Sequence, residues 1–171
     1  MKILYAGSSQ SSSLILESLI AGSNEVIGVI SQPDKRSKRR ASAEPSYVAS
    51  VAEKNGVNVY KPQNLDENFK QTILQLKFDI LIVAAYGKIL PEWFLKTPSK
   101  DSINIHYSLL PKYRGASPIQ SALLNSEKIT GISIMRMTAG LDEGPVFVFH
   151  TQEILNSDNK NTLEKKLTSL S

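Results

Sequence analysis

Phe78-Asp79-Ile80-Leu81-Ile82-Val83-Ala84-Ala85 is the most apolar strand-like run in the chain. Its apolar residues follow one another without alternation, the pattern of a parallel strand covered on both faces. Upstream of it, Asn64 with Glu67 three residues on has the form of a capping box opening a helix through Ile73, Leu74 and Leu76. Residues 57–60 read as a short strand, and 45–55 as a helix begun at Pro45 and stopped at Gly56. Residues 26–31 give another apolar strand. Before that, a helix carries Leu14, Ile15, Leu16, Leu19 and Ile20 and closes at Gly22. Residues 2–6 make the first strand, and the polar run Gly7-Ser8-Ser9-Gln10-Ser11-Ser12-Ser13 reads as the loop between. Strands alternating with helices predict an α/β, Rossmann-like fold: an open, mostly parallel sheet with helices on both faces. The first loop holds a single glycine, so nothing supports a Gly-x-Gly-x-x-Gly dinucleotide site.

Downstream, a helical turn at 91–96 leads to Ser102-Ile-Asn-Ile-His-Tyr-Ser-Leu-Leu-Pro-Lys-Tyr-Arg-Gly-Ala-Ser-Pro-Ile-Gln120. Residues 102–106 alternate polar and apolar, so a strand here places Asn104 and His106 on one face and Ile103 and Ile105 on the other. Leu109-Leu110-Pro111 and Arg114-Gly115 end the strand. Ser117-Pro118 then reads as an N-cap with proline at the first helical position, opening a helix to residue 125. An amide and an imidazole therefore stand where a strand gives way to a loop, and in open parallel sheets that edge binds ligands. Residues 131–137 offer Ile132, Ile134 and Met135 to the core. A loop at 138–144 and a strand at 146–149 follow. Leu163, Leu167 and Leu170 fall at helical spacing, and the sequence reads as stopping inside that element.

With 171 residues, the chain is long enough for one domain with a sizeable core. There is no cysteine, which excludes disulfides and thiolate metal sites, and two histidines give little for zinc. No apolar run approaches the roughly 20 residues of a membrane span. The first residues resemble neither a signal peptide nor a transit peptide, so a cytoplasmic protein with no membrane contact is expected. The net charge is +4. Lys35, Arg36, Lys38, Arg39 and Arg40 exceed that by themselves, so the basicity is one patch in an otherwise slightly acidic chain. The segment 33–44 that carries it reads as structureless.

Asn104-Ile105-His106, Ser108 to Pro111 and Tyr113 to Gln120 together resemble the signature of the folate-dependent formyltransferases. Ser31-Gln32-Pro33-Asp34-Lys35, Ala84-Ala85-Tyr86-Gly87-Lys88-Ile89-Leu90-Pro91 and Gly140-Leu141-Asp142-Glu143-Gly144 extend the likeness over nearly the whole chain, toward members whose acceptor is initiator methionyl-tRNA. The resemblance implies a formyl donor, 10-formyltetrahydrofolate, held by backbone at Tyr86 and Gly87 and at Ser108, Leu109, Leu110 and Pro111. It implies that the basic loop of Lys35, Arg36, Lys38, Arg39 and Arg40 meets the acceptor arm of the tRNA, where cations suit phosphates. It also implies a monomer and a C-terminal β-barrel domain that nothing in these 171 residues matches. Three features depart from the family: Ser8-Ser9-Gln10 in the first loop, Tyr107 where a small residue is usual, and a basic loop without its usual glycines.

Formyl transfer to an amine passes through a tetrahedral intermediate whose oxygen becomes negative. Asn104 and His106 supply N–H donors for that oxygen. Asp142, between two glycines, is suited to hold the imidazole and to take the amine's proton through a water. No covalent intermediate and no metal are needed. An aspartate flanked by glycines is equally at home in a turn, and His150, without polar companions, is assigned to structure. Two other functions fit parts of the pattern. A sugar N-formyltransferase would act on a nucleotide-linked amino sugar but has no use for five cations. A non-catalytic folate- or tRNA-binding module would not need Asn104, His106 and Asp142.

Overall fold

The computed structural model describes residues 1–36 and 43–171, with Lys35 and Arg36 described in their backbone alone. The chain divides into two compact units, Met1–Ser102 and Ile103–Ser171.

In the first unit, β1 (Lys2–Gly7), β2 (Glu25–Ile30), β5 (Val59–Tyr60) and β6 (Ile80–Ala84) pair in parallel, in the order β5, β2, β1, β6. Consecutive residues from Ile3 to Ala6 and from Leu81 to Ala84 are buried, so both faces of these strands are covered. α1 (Gln10–Ala21) and α2 (Tyr47–Lys54) pack on each other and on the strands. α3 (Glu67–Leu74) meets α4 (Glu92–Leu95) through an edge-on contact between Phe69 and the buried Phe94, their ring centres 6.2 Å apart. The chain winds from β1 outward to β5 and then returns to β6 on the other side of β1. That reversal puts a switch point at the carboxyl ends of β1 and β6, where α/β sheets bind ligands.

Three local expectations change. The serines of residues 10–13 are the first turn of α1 rather than loop, because Ser9 caps the helix by accepting the Ser12 N–H at 3.1 Å and Tyr5 OH donates to the Ser12 carbonyl at 2.8 Å. A side chain on Gly7 would lie 1.9 Å from Ser12 Oγ, so glycine is what allows this approach. α3 is capped by Asp66, which accepts the Phe69 N–H at 3.0 Å; Asn64 has no part in it. The basic segment is not wholly without structure: β3 (Lys35–Arg36) pairs antiparallel with β4 (Ala43–Glu44). Lys38, Arg39 and Arg40 lie outside the described residues.

β7 (Asp101–His106) spans the division between the units. In the second unit it pairs antiparallel with β8 (Ile129–Arg136), which pairs antiparallel with β9 (Val146–Glu153). β9 runs four residues past the strand expected at 146–149, because its ladder with β8 continues to Ile129 opposite Glu153. α5 (Pro118–Leu124) and α6 (Lys160–Thr168) pack together over a core of Ile119, Ala122, Ile132, Ile154, Leu163 and Leu167. Proline opens α5 as expected, although the Ser117 side chain makes no capping bond. α6 begins in a capping box between Asn159 and Thr162. The α/β, Rossmann-like class is therefore the one observed, with parallel pairing in the first unit and antiparallel pairing in the second. No helix among the described residues is long and apolar enough to cross a membrane.

Candidate active site

Alternation along β7 sends Asn104 and His106 to the same side, and the loop between β8 and β9 brings Asp142 to both. Asn104 Nδ2 donates to Asp142 Oδ1 at 3.3 Å, and His106 Nδ1 stands 3.6 Å from Asp142 Oδ2. The same Oδ2 accepts the Gly115 N–H at 2.8 Å. The side chains of His106 and Asp142 are 6% and 12% exposed, so the carboxylate and ring face each other largely out of water. Asp142 has φ of 48°, a left-handed conformation that aspartate tolerates better than most residues. It is thus both a turn residue and a member of the cluster, two roles the sequence posed as alternatives.

The imidazole's other nitrogen is also engaged. Nε2 lies 2.9 Å from the Tyr113 carbonyl, and because a carbonyl oxygen can only accept, Nε2 carries the proton. A ring that is to offer an N–H to a substrate oxygen must therefore do so from Nδ1, with Asp142 beside it to balance the charge. The Asn104 amide carries a second N–H that its bond to Asp142 does not use. The cluster can hence direct an amide and an imidazolium donor at one oxygen, with a carboxylate next to both.

The turn after β7 is tied from within. Ser108 Oγ donates to the Lys112 carbonyl at 2.6 Å, and the buried Ser133 donates to the Ser108 carbonyl at 2.6 Å while accepting the Leu110 N–H at 3.0 Å. The Leu110–Pro111 peptide is cis. Leu109 and Pro111 line an open hollow with Thr130 and Ile129, whose walls include none of Asn104, His106 and Asp142. Glycine at 131 admits the His150 carbonyl of β9, which a side chain would meet at 2.1 Å, and also leaves room for Leu109, whose Cδ2 would lie 2.6 Å away.

In the first unit, Tyr86 and Gly87 follow β6 at the switch point. The Tyr86 ring is buried and its hydroxyl has no hydrogen-bond partner among the described residues, and burial pushes the phenol pKa up to about 12. Gln32 Nε2 donates to the Tyr86 carbonyl at 2.8 Å. A side chain on Gly87, whose φ is 79°, would lie 2.5 Å from that same nitrogen, so glycine admits the glutamine here. Tyr107, on the opposite side of β7 from the donors, bonds through its hydroxyl to Thr168 Oγ1 at 3.0 Å and packs against the α5–α6 core. Its ring is accommodated away from the cluster.

Tyr113, Gly115 and Ser133 escaped the sequence reading as site residues. The first two act through backbone atoms, which carry no side-chain signature. Ser133 had one available signal, a polar residue inside the apolar run 132–135. Among the described residues, no group of three or more His, Cys, Asp or Glu is placed to hold a metal ion.

A strand-borne Asn–His pair thus meets a loop aspartate on an α/β scaffold. The formyl transferase family model matches residues 1–171, and the chain belongs to that family. It is 47% identical over 172 residues to the methionyl-tRNA formyltransferase of Dictyoglomus thermophilum, covering 99% of this chain and 55% of that protein. It is 42% identical over 173 residues to the methionyl-tRNA formyltransferase of Prochlorococcus marinus, covering 100% of this chain and 53% of that protein. The chain thus spans about half the length of the curated relatives it matches. Among solved structures, phosphoribosylglycinamide formyltransferase from Bacillus halodurans shares the fold with a TM-score of 0.82 at 21% identity, over 99% of this chain and 89% of that one. The same enzyme from Anaplasma phagocytophilum gives 0.80 at 25%, over 99% and 80%.

Proposed function

We propose that the chain is the formyl-transferring part of a methionyl-tRNA formyltransferase, passing the formyl group of 10-formyltetrahydrofolate to the free amino group of initiator methionyl-tRNA in the cytoplasm, for translation initiation. The observation that carries this is the single carboxylate, Asp142, shared by Asn104, His106 and the Gly115 N–H. The amine attacks the formyl carbon, and the oxygen becomes negative while held by the Asn104 amide and by N–H at His106 Nδ1. The amine's proton leaves toward Asp142 through a water. The bond from the formyl carbon to the folate nitrogen then breaks, that nitrogen takes the proton back from the same water, and the carbonyl re-forms on the product. No group of the protein is acylated, because holding both substrates in register and stabilising one charge is sufficient.

The donor is assigned to backbone at Tyr86 and Gly87 and at Ser108, Leu109, Leu110 and Pro111. The position of the first pair at the β1–β6 switch point supports this, as does the internal tying of the second group by Ser108 and Ser133, which leaves a fixed surface. Lys35, Arg36, Lys38, Arg39 and Arg40 are assigned to tRNA phosphates. The names of the curated relatives favour the tRNA acceptor. The test is one assay: the 171-residue chain with 10-formyltetrahydrofolate and, in parallel, methionyl-tRNA, an amino-sugar nucleotide or no acceptor. Transfer to methionyl-tRNA is expected. Transfer to the sugar alone would replace the acceptor, and binding of folate or tRNA without turnover would replace the enzyme by a binding module.

A further inference from the structure

A second cluster in the Ile103–Ser171 unit holds the group that anchors the imidazole. Glu127 Oε1 accepts the Tyr113 hydroxyl at 2.8 Å and the Lys112 ammonium at 2.9 Å. Glu127 is fixed just past the end of α5, where its own N–H donates to the Ala122 carbonyl at 3.1 Å. The Tyr113 backbone, with φ of 56°, is in the left-handed region, which a bulky residue occupies only when its surroundings hold it there. The turn so held supplies the site with both of its backbone partners: the Tyr113 carbonyl for His106 Nε2 and, two residues on, the Gly115 N–H for Asp142.

We infer that Glu127 is a positioning residue: by holding the Tyr113 hydroxyl it fixes the turn whose carbonyl accepts from Nε2, and so holds the His106 ring in the orientation that turns Nδ1 toward Asp142. The charges agree with this role. The Lys112 ammonium, and then the Tyr113 hydroxyl, hold the Glu127 carboxyl below its ordinary range, while Glu127 raises the phenol of Tyr113. At neutral pH the cluster is therefore a carboxylate accepting from two donors. Glu127 touches neither reacting atom nor ring, and acts only through Tyr113. Its consequence for turnover rests on the formyl-transfer reading, whereas its effect on the ring does not.

The experiment reads the ring first. The 171 residues contain two histidines, His106 and the exposed His150, so ¹H–¹⁵N correlations of the imidazole nitrogens resolve His106 against an internal reference. In its neutral form His106 is expected to carry its proton at Nε2, against the Tyr113 carbonyl. Glu127→Ala and Tyr113→Phe are each expected to convert it to a mixture of tautomers, whereas Glu127→Gln, whose amide oxygen still accepts the Tyr113 hydroxyl, retains the single form. In the formyl-transfer assay the first two variants should lose roughly 10- to 100-fold in kcat with KM for both substrates unchanged, the range for a displaced catalytic group. The double variant should be no worse than either single one, as expected of residues acting in series. If Glu127→Ala fails to fold, Tyr113→Phe, which removes one oxygen, carries the test. A single Nε2–H form retained in folded Tyr113→Phe overturns the inference. Mixed tautomers with unchanged kcat would uphold the positioning by Glu127 and remove His106 from the reaction instead.

Discussion

Asp142 and Gly115 are joined by a hydrogen bond of 2.8 Å, in which the backbone N–H of the glycine donates to Oδ2 of the aspartate. This bond aims the carboxylate. With Oδ2 held by the turn after β7, Oδ1 is left to Asn104 and the shared Oδ2 edge to His106, so three parts of the second unit meet on one side chain.

Replacing Asn104 or His106 by alanine should cut formyl transfer by about 10²-fold or more, the loss typical of one oxyanion donor. Folate affinity should change little, because the assigned donor site uses other residues. Steady-state kinetics with direct folate titration checks this. Near-normal turnover in either variant would take that residue out of the mechanism.

Asp142→Asn should keep the fold, since an amide oxygen can still accept the Gly115 N–H. The new NH₂ must then face the NH₂ of Asn104, and it can neither accept a proton nor balance a charged ring. Turnover is expected to fall by about 10²-fold, within the range for loss of a general base, and the dependence of kcat on pH should change shape. A full rate with an unchanged profile would leave Asp142 as a turn residue only.

The Tyr107 hydroxyl ties β7 to α6 through Thr168. Tyr107→Phe should therefore lower unfolding stability by about 0.5–1.5 kcal/mol, the net worth of an ordinary hydrogen bond, and leave transfer nearly unchanged. Denaturant unfolding and the transfer assay measure the two sides. Tyr107→Gly should destabilise further by opening the core. A marked rise in activity in that variant would mean that the ring obstructs the substrates.

A side chain at Gly144 would lie 2.0 Å from the Arg136 carbonyl, a backbone atom that cannot step aside alone. Gly144→Ala is expected to shift the loop that carries Asp142, costing about 1–3 kcal/mol as overpacking does and lowering kcat with it. Thermal unfolding alongside kinetics tests the coupling. Wild-type stability and rate together would show that the loop absorbs the change.

Neutralising Lys35, Arg36, Lys38, Arg39 and Arg40 should weaken tRNA binding by this chain and flatten its salt dependence by about 0.7–0.9 in log–log slope for each phosphate that is left without its cation. Folate affinity should not move. Binding titrations over a range of salt decide it, and an unchanged slope would reassign the segment to a solvated loop.

The sequence by itself determined the layout of strands and helices and half of the site. Burial leaves a periodic trace, so the unbroken run at Ile80–Ala84 announced a strand covered on both faces, and the alternation at residues 102–106 put Asn104 and His106 side by side. Asp142 could be named only by likeness to a family, because a loop residue between glycines has no period to read. Helix starts were less legible. Asn64 and Asp66 are both capable caps, and only the fold's choice of where α3 begins gives the role to Asp66. The serines after Gly7 looked like a loop because their composition is polar, yet Tyr5 and the Ser9 cap satisfy that polarity within a helix. Tertiary structure alone decided which nitrogen of His106 carries the proton and where the Asp142 carboxylate points. Both are fixed by backbone groups of Tyr113 and Gly115, and every residue owns such groups; they become specific only when the chain bends to present them.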